Sequence, residues 1–156
     1  MMSPGTYLKK RREAAGVGII QASATLAAFS MAQRLANPRA VIAQRLNDAE
    51  ADLEPLNRGQ LGLIRAQVFR LDIGIYQQLV DLHSDPGNPD LPRPQICREC
   101  ACSWDDACLV DGGGCAWAEE PTRDRDGLCT RCLRENAIHA EARQVPMLTL
   151  VEGAPA

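Results

Sequence analysis

The sequence has few of the residue types that enzymes use for catalysis, and no arrangement that combines them. Its two histidines, His83 and His139, stand alone in the chain and are more typical of surface positions than of ligands or bases. No Ser/His/Asp set, carboxylate pair or open zinc site with a general base is recognisable. Glycines 112–114 are not placed between a predicted strand and helix, as a phosphate-binding loop would be. We therefore predict a protein that is not an enzyme and takes no small-molecule substrate.

A strongly apolar run is also missing. Residues 14–33 are uncharged and follow a basic run at residues 9–12, an order that resembles a signal peptide or a twin-arginine export signal. The uncharged run is mostly alanine, however, and contains glycine and polar residues, whereas a spanning helix needs about 20 strongly apolar residues. We predict a cytoplasmic protein that does not enter a membrane, with export as the alternative.

An overall positive charge is absent as well, because the formal net charge is -3. The charge is unevenly distributed. Residues 1–58 contain eight basic and five acidic residues, so this part carries +3 and the remainder -6. A basic front and an acidic back suggest two functional halves.

What the sequence does have is a dense group of cysteines. All seven lie between residues 97 and 132, and the group begins and ends with a C-x-x-C pair. Each pair places two sulfurs on one tight turn, which is a usual way to build a tetrahedral thiolate site. The predicted zinc ligands are Cys97, Cys100, Cys129 and Cys132. The others, Cys102, Cys108 and Cys115, are either buried thiols or a second site completed by Asp105, Asp106 or His139.

Other uses of the cysteines remain open. A disulfide framework would leave one of seven over, and paired C-x-x-C turns suit a reducing cytosol better. The third cysteine comes too early for a ferredoxin-type run, but a rubredoxin-like iron or an iron–sulfur cluster stays an alternative to zinc. Trp104 and Trp117 are expected to cover the metal lobe, because so small a module has little other apolar mass.

Before residue 84 the apolar spacing predicts five short helices, at about residues 7–15, 17–36, 38–53, 60–71 and 72–83. Ser3 is expected to cap the first helix, with Pro4 at its first position, and Asp72 to cap the last. Lys9, Arg11 and Arg12 are expected to point mostly outward, with Phe29 and Leu53 on apolar stripes. The predicted domains are a helical domain at 1–83, a proline-rich linker at 84–94, a cysteine-rich metal-binding module at 95–143 and a tail at 144–156. A closing helix is expected at about 134–143, and residues 147–151 are predicted to add a strand or to fray.

The segment from Leu8 to Gly16 resembles the first helix of the phage-repressor (Cro/C1, or XRE) helix-turn-helix family. The spacing of Leu61 and Ile64, and of Ile73 to Leu79, resembles that of its last two helices. The resemblance implies a mainly α fold whose first helix crosses the DNA backbone and whose third enters the major groove. The DNA contacts that it implies are Lys9, Lys10, Arg11 and Arg12 to phosphates, and Arg39, Gln44, Arg45 and Asn47 to base edges.

The cysteine-rich part resembles small modules found near the C-terminal end of bacterial and phage proteins. That resemblance implies metal binding but names no reaction. The two together predict a DNA-binding or transcription-regulatory protein with a structural zinc module and double-stranded DNA as a partner. The alternatives are a protein–protein adaptor of phage or mobile-element origin, with a protein partner or a second copy of itself, and a thiol- or metal-based redox sensor.

Overall fold

The computed structural model describes residues 2–29, 37–110, 112–122 and 125–144. This part of the chain is mainly α, with six helices and two small antiparallel two-stranded sheets. The helices are α1 (Pro4–Ala14), α2 (Ile19–Phe29), α3 (Pro38–Glu50), α4 (Arg58–Gln67), α5 (Ile73–Ser84) and α6 (Thr130–Gln144). The strands are β1 (Leu109–Val110), β2 (Gly113–Gly114), β3 (Trp117–Glu119) and β4 (Leu128–Cys129).

Side-chain caps fix where the helices of the N-terminal part begin. Ser3 Oγ accepts from the amide of Thr6 at 3.1 Å, and Pro4 occupies the first turn of α1, as predicted. Asp72 caps α5 by accepting from the amide of Ile75, which was also predicted. Gly16 follows α1 with φ +68°, a conformation that favours glycine and stops the helix.

The core of this part is built from all five helices, with α3 packed against α1 and α2, and α5 packed against α1 and α4. Tyr7 and Tyr76 are completely buried in it, and their hydroxyls accept from the amides of Asp72 at 2.9 Å and Leu56 at 3.1 Å. Burial raises the pKa of the Tyr7 hydroxyl well above its ordinary value. The two tyrosines therefore satisfy loop amides from inside the core.

Two apolar residues predicted to face inward do not. Leu53 is 75% exposed because α3 ends at Glu50, before the predicted stripe is complete. The chain then turns at Asp52, whose φ is +59° and whose carboxylate accepts from the amide of Gly5 at 2.6 Å. Phe29 is 60% exposed at the end of α2. Residues 30–36, the rest of the predicted second helix, lie outside the described residues.

The prediction that Arg11 and Arg12 point outward is wrong, whereas Lys9 is exposed as expected. The guanidinium of Arg12 is buried against Glu50 of α3, with Nε 2.6 Å from Oε1 and Nη2 2.8 Å from Oε2. Arg11 is buried against Asp106, in the cysteine-rich part of the chain. Both arginines therefore hold α1 against its neighbours.

The helical part and the cysteine-rich part contact each other, although the proline-rich segment separates them in sequence. Ile96 and Ala101 are buried in the same apolar core as α1, α3 and α5. Few crossing contacts were expected, because four prolines favour an extended linker. The domain boundaries and the independent folding of the two parts stay predictions. The closing helix α6 begins at Thr130, four residues earlier than predicted, and residues 147–151 lie outside the described residues.

Candidate metal centre

Tight local structure places the first three cysteines. The amide of Ala101 donates to the carbonyl of Cys97, and the amide of Cys97 donates to the carbonyl of Cys102, both at 2.9 Å. Ala101 completes this turn in the left-handed region, at φ +59°. The turn is held to the end of the module because Gly127 bonds to Ile96 and Arg98 on either side of Cys97. A Cβ on Gly127 would lie 2.8 Å from the carbonyl oxygen of Glu119, so this close approach requires glycine.

The other cysteines come from a hairpin and a strand–helix junction. Cys108 and Cys115 flank the β1–β2 hairpin, where the amide of Cys115 donates to the carbonyl of Cys108 at 2.8 Å. Cys129 ends β4 and Cys132 lies in the first turn of α6. Strand β4 pairs with β3, which brings Cys129 opposite Trp117. Three separate pieces of local structure thus converge on one point.

The sulfurs at that point form one buried cluster that can hold metal. Two groups of four cysteine sulfurs each lie within 4.8 Å of one another. The groups are Cys97, Cys100, Cys102 and Cys129, and Cys102, Cys108, Cys115 and Cys129. Cys132, the fourth predicted zinc ligand, is buried in the same cluster but belongs to neither group of four, and Cys102 takes its place beside Cys97, Cys100 and Cys129. None of the seven cysteines forms a disulfide. Six of them are buried, and Cys115 is half-buried.

The sulfur separations are those of a ligand set. The Sγ atoms of Cys100 and Cys129 are 3.8 Å apart, and those of Cys102 and Cys115 are 3.6 Å apart. A tetrahedron with Zn–S bonds of about 2.3 Å has edges of roughly 3.8 Å. Cys100 and Cys108 are closer, at 3.3 Å, and they join the two groups.

The cluster is electrostatically unusual for protein thiols. Hydrogen bonds with Cys100, Cys102, Cys129 and Cys132 lower the pKa of Cys97. The pKa of Cys100 is raised, because its hydrogen bonds to Cys102 and Cys108 favour the protonated form. Backbone amides also point at sulfur, from Cys129 to Cys97 at 3.4 Å and from Cys108 to Cys115 at 3.2 Å. Seven thiolates this close repel one another unless protons or a cation lie between them.

The residues suggested as a fourth ligand for the second site are differently engaged. The carboxylate of Asp106 is buried and forms ion pairs with Arg11 at 2.5 Å and with Arg70 at 3.1 Å. Asp105 and His139 are exposed. The second group contains Cys129 in the place that these residues were expected to fill.

Trp104 and Trp117 lie on the outside of the cluster. Their rings meet edge to face, with centroids 6.2 Å apart and an interplanar angle of 86°. Together with Cys102, Cys115 and Cys129 they line a small cavity. Trp117 packs on the cysteines, while Trp104 is 65% exposed.

The residues predicted to contact DNA are not equally available. Lys9, Arg39, Gln44 and Asn47 are exposed, with Gln44 donating to Asp48 of its own helix at 2.8 Å. Lys10 Nζ donates to the carbonyl of Glu99 at 2.9 Å. Arg45 pairs with Glu54 and donates to the carbonyl of Pro55. With Arg11 and Arg12 buried, internal partners engage five of the eight predicted residues.

The sequence interpretation missed the role of Asp106 as the carboxylate that joins the cysteine lobe to α1. Asp106 was named only as one of three candidate fourth ligands for a second metal site. Among the described residues, no helix is both long and apolar enough to cross a bilayer. No family model, curated protein or solved structure matches the chain.

Proposed function

We propose that this protein is a non-enzymatic regulatory protein, in which a zinc–thiolate centre stabilises the cysteine lobe and the helical part binds a partner. The observation that carries the proposal is the buried cluster of seven thiols. A donor set made only of cysteine sulfurs suits zinc, which takes four thiolates in structural sites. Free thiols also suit the reducing cytoplasm.

The metal is expected to supply folding energy for the lobe. Each sheet in the lobe has only two strands, and its buried apolar residues are mostly the cysteines themselves. Thiols at this density cannot replace an apolar core, so binding and folding should be coupled. Elemental analysis of anaerobically purified protein tests this step. We expect zinc, and iron with visible absorption would instead favour the iron–sulfur alternative.

Double-stranded DNA is the first partner to test. The repressor-like interpretation makes α3 the recognition helix, and the exposed side chains of Arg39, Gln44 and Asn47 on that helix are able to hydrogen-bond to base edges. The exposed Lys9 of α1 is suited to a phosphate contact.

A protein partner is the second candidate. The observation that favours it is the neutralisation of Arg11, Arg12 and Arg45 by Asp106, Glu50 and Glu54. Arginines paired inside the protein release fewer counterions on contact with DNA, which weakens binding to phosphate. An adaptor of this kind would use the same zinc-stabilised framework.

One titration separates the two candidates. The zinc-loaded 156-residue chain is mixed with random-sequence duplex DNA at low ionic strength, and the bound fraction is followed as salt is added. If the logarithm of the binding constant falls linearly with the logarithm of the salt concentration, the result supports DNA binding. If the protein shows no salt-dependent retention, DNA is not the partner and the adaptor proposal takes its place.

A further inference from the structure

The two groups of four sulfurs are not separate, since both contain Cys102 and Cys129. Two independent tetrahedral thiolate sites would need about eight ligands, four for each ion. The chain has seven cysteines, so two such sites can be completed from cysteine alone only if at least one sulfur is shared.

Resting on the proposal that the centre binds zinc, we propose that the lobe holds two zinc ions as one binuclear cluster bridged by the thiolate of Cys129. The first ion takes Cys97, Cys100, Cys132 and Cys129. The second takes Cys102, Cys108, Cys115 and Cys129. Each cysteine then binds one ion, except Cys129, which binds both, and no carboxylate or histidine ligand is needed.

The position of Cys129 fits a bridging role. It is 1% exposed and lies at the junction of β4 and α6. Its amide donates to Cys97 Sγ at 3.4 Å, and the amide of the next residue, Thr130, donates at 2.9 Å to the carbonyl of Ala116, which follows Cys115. The sulfur of Cys129 is 3.8 Å from that of Cys100 in the first set and within 4.8 Å of each sulfur in the second.

Cys132, one turn further along the chain, lies outside both groups. It forms a C-x-x-C pair with Cys129, and such a pair supplies two ligands to one ion, so we assign it to the first set. Cys102, whose sulfur is 3.6 Å from that of Cys115, is assigned to the second.

The surrounding charges suit such a cluster. Seven thiolates and two Zn²⁺ ions leave net negative charge, which a buried site must compensate. Arg11 Nη1 donates to the carbonyl of Cys100, and its guanidinium interacts electrostatically with Cys108 and Cys100. Arg131 interacts with Cys108 from the side of α6. Two guanidinium groups thus lie beside the sulfurs, each also paired with a carboxylate, Arg11 with Asp106 and Arg131 with Glu135.

The decisive experiment uses the intact protein. Native mass spectrometry and elemental analysis should give two zinc ions per chain. After exchange of zinc for ¹¹³Cd, a proton–cadmium correlation spectrum should couple the Hβ atoms of Cys129 to both cadmium ions, and those of every other cysteine to one.

Ligand variants give an independent readout. Cys115→Ser and Cys132→Ser each remove a ligand from one site, and each should lose one of the two ions. Cys129→Ser removes a ligand from both sites and should lose both. If Cys129→Ser retains one ion as Cys115→Ser does, the bridge is wrong. The ¹¹³Cd spectrum of the unaltered chain decides the question even if Cys129→Ser does not fold.

The outcomes separate this inference from the proposal it rests on. One zinc ion per chain, or two ions with no cysteine coupled to both, overturns the bridged cluster and leaves the zinc centre intact. Protein that binds no metal, or that contains iron and acid-labile sulfide, overturns both.

Discussion

Arg11 and Asp106 form a buried ion pair that joins the first helix to the cysteine lobe. Arg11 Nη2 lies 2.5 Å from Asp106 Oδ2, and both side chains are less than a tenth exposed. The residues are 95 positions apart in the chain. Arg70 approaches the other carboxylate oxygen at 3.1 Å, from the surface. The pair therefore couples the orientation of α1 to the folding of the lobe.

Removing the charge of Asp106 should destabilise the whole protein. Asp106→Asn leaves the buried guanidinium of Arg11 without its main counter-charge, and breaking such a pair from one side costs about 3–5 kcal/mol. Denaturant unfolding of the zinc-loaded protein measures the loss. Glu135→Gln is the control, since it removes an exposed pair with Arg131 worth about 0.2–0.5 kcal/mol. Equal losses for the two variants would mean that the buried pair contributes little.

A chain that ends at Asp85 should remain helical but lose stability. Its five helices are complete, and Ser3, Asn57 and Asp72 still cap α1, α4 and α5. It lacks Ile96, however, which is completely buried in the helical core. Circular dichroism should show helix, and unfolding should occur at lower denaturant than in the intact protein. A fragment without helical signal would show that the helices and the lobe share one indispensable core.

The intact chain allows the contribution of Ile96 to be measured alone. Ile96→Ala should lower the free energy of unfolding by about 2–5 kcal/mol, the usual cost of removing a buried isoleucine side chain. Leu53→Ala is the matched control, because Leu53 is 75% exposed and its loss should change stability by no more than about 0.5 kcal/mol.

Local rules account for the parts of the structure that the sequence predicted. Ser3, Pro4 and Asp72 act within one helical turn of themselves, and the C-x-x-C pairs place sulfurs on turns that need no distant partner. The mainly α class, the existence of five N-terminal helices and the grouping of cysteines follow from these rules. The zinc assignment and the DNA contacts stay predictions.

The misplaced side chains depend on contacts that are distant in sequence. Arg11 and Arg12 have the spacing of a solvated basic helix face, and nothing near them indicates burial. Their partners are 95 and 38 positions away. Leu53 fits the stripe of α3, but Asp52 is drawn to the start of α1 instead of continuing the helix. Tertiary ion pairs and hydrogen bonds decided these positions over local periodicity.

Gly5 should not tolerate even a methyl group. A Cβ at this position would lie 2.5 and 2.6 Å from the carbonyl oxygens of Ala49 and Glu50, because α1 begins directly against the end of α3. Gly5→Ala should therefore destabilise the protein by about 1–3 kcal/mol through forced backbone shifts. Gly62→Ala is the control, and it should change the free energy of unfolding in the opposite direction. Gly62 lies inside α4 with nothing within 4 Å of its Cβ position, so alanine should stabilise the helix by about 0.5–1 kcal/mol. Thermal or denaturant unfolding of both variants tests the pair, and a neutral Gly5→Ala would contradict the close packing.

If the protein binds DNA, its phosphate contacts should be fewer than the basic run of α1 suggests. Arg11 and Arg12 are buried, which leaves on this helix Lys9 and, once its Nζ leaves the carbonyl of Glu99, Lys10. Two neutralised phosphates predict a contribution of about -1.8 to the slope of log affinity against log salt. Replacing both lysines by alanine should remove that contribution and weaken binding to all duplexes alike. A slope that does not change would exclude α1 from the interface.

Base recognition on α3 makes a separate prediction. Arg39 is exposed on that helix, whereas Arg45 is held by Glu54 and the carbonyl of Pro55. A preferred site is first selected from random duplexes, and the binding free energies of the selected site and the unselected pool are compared. Arg39→Ala should reduce the difference between these two free energies, by about 1–3 kcal/mol if the contact is bidentate. Arg45→Ala should change this difference less, because the guanidinium of Arg45 would have to leave Glu54 and Pro55 before it could contact a base. Arg65→Ala, an exposed arginine on α4, is the control for a general loss of positive charge. If Arg39→Ala and Arg65→Ala weaken selected and random DNA equally, α3 does not read sequence. Binding would then be a matter of phosphate charge alone.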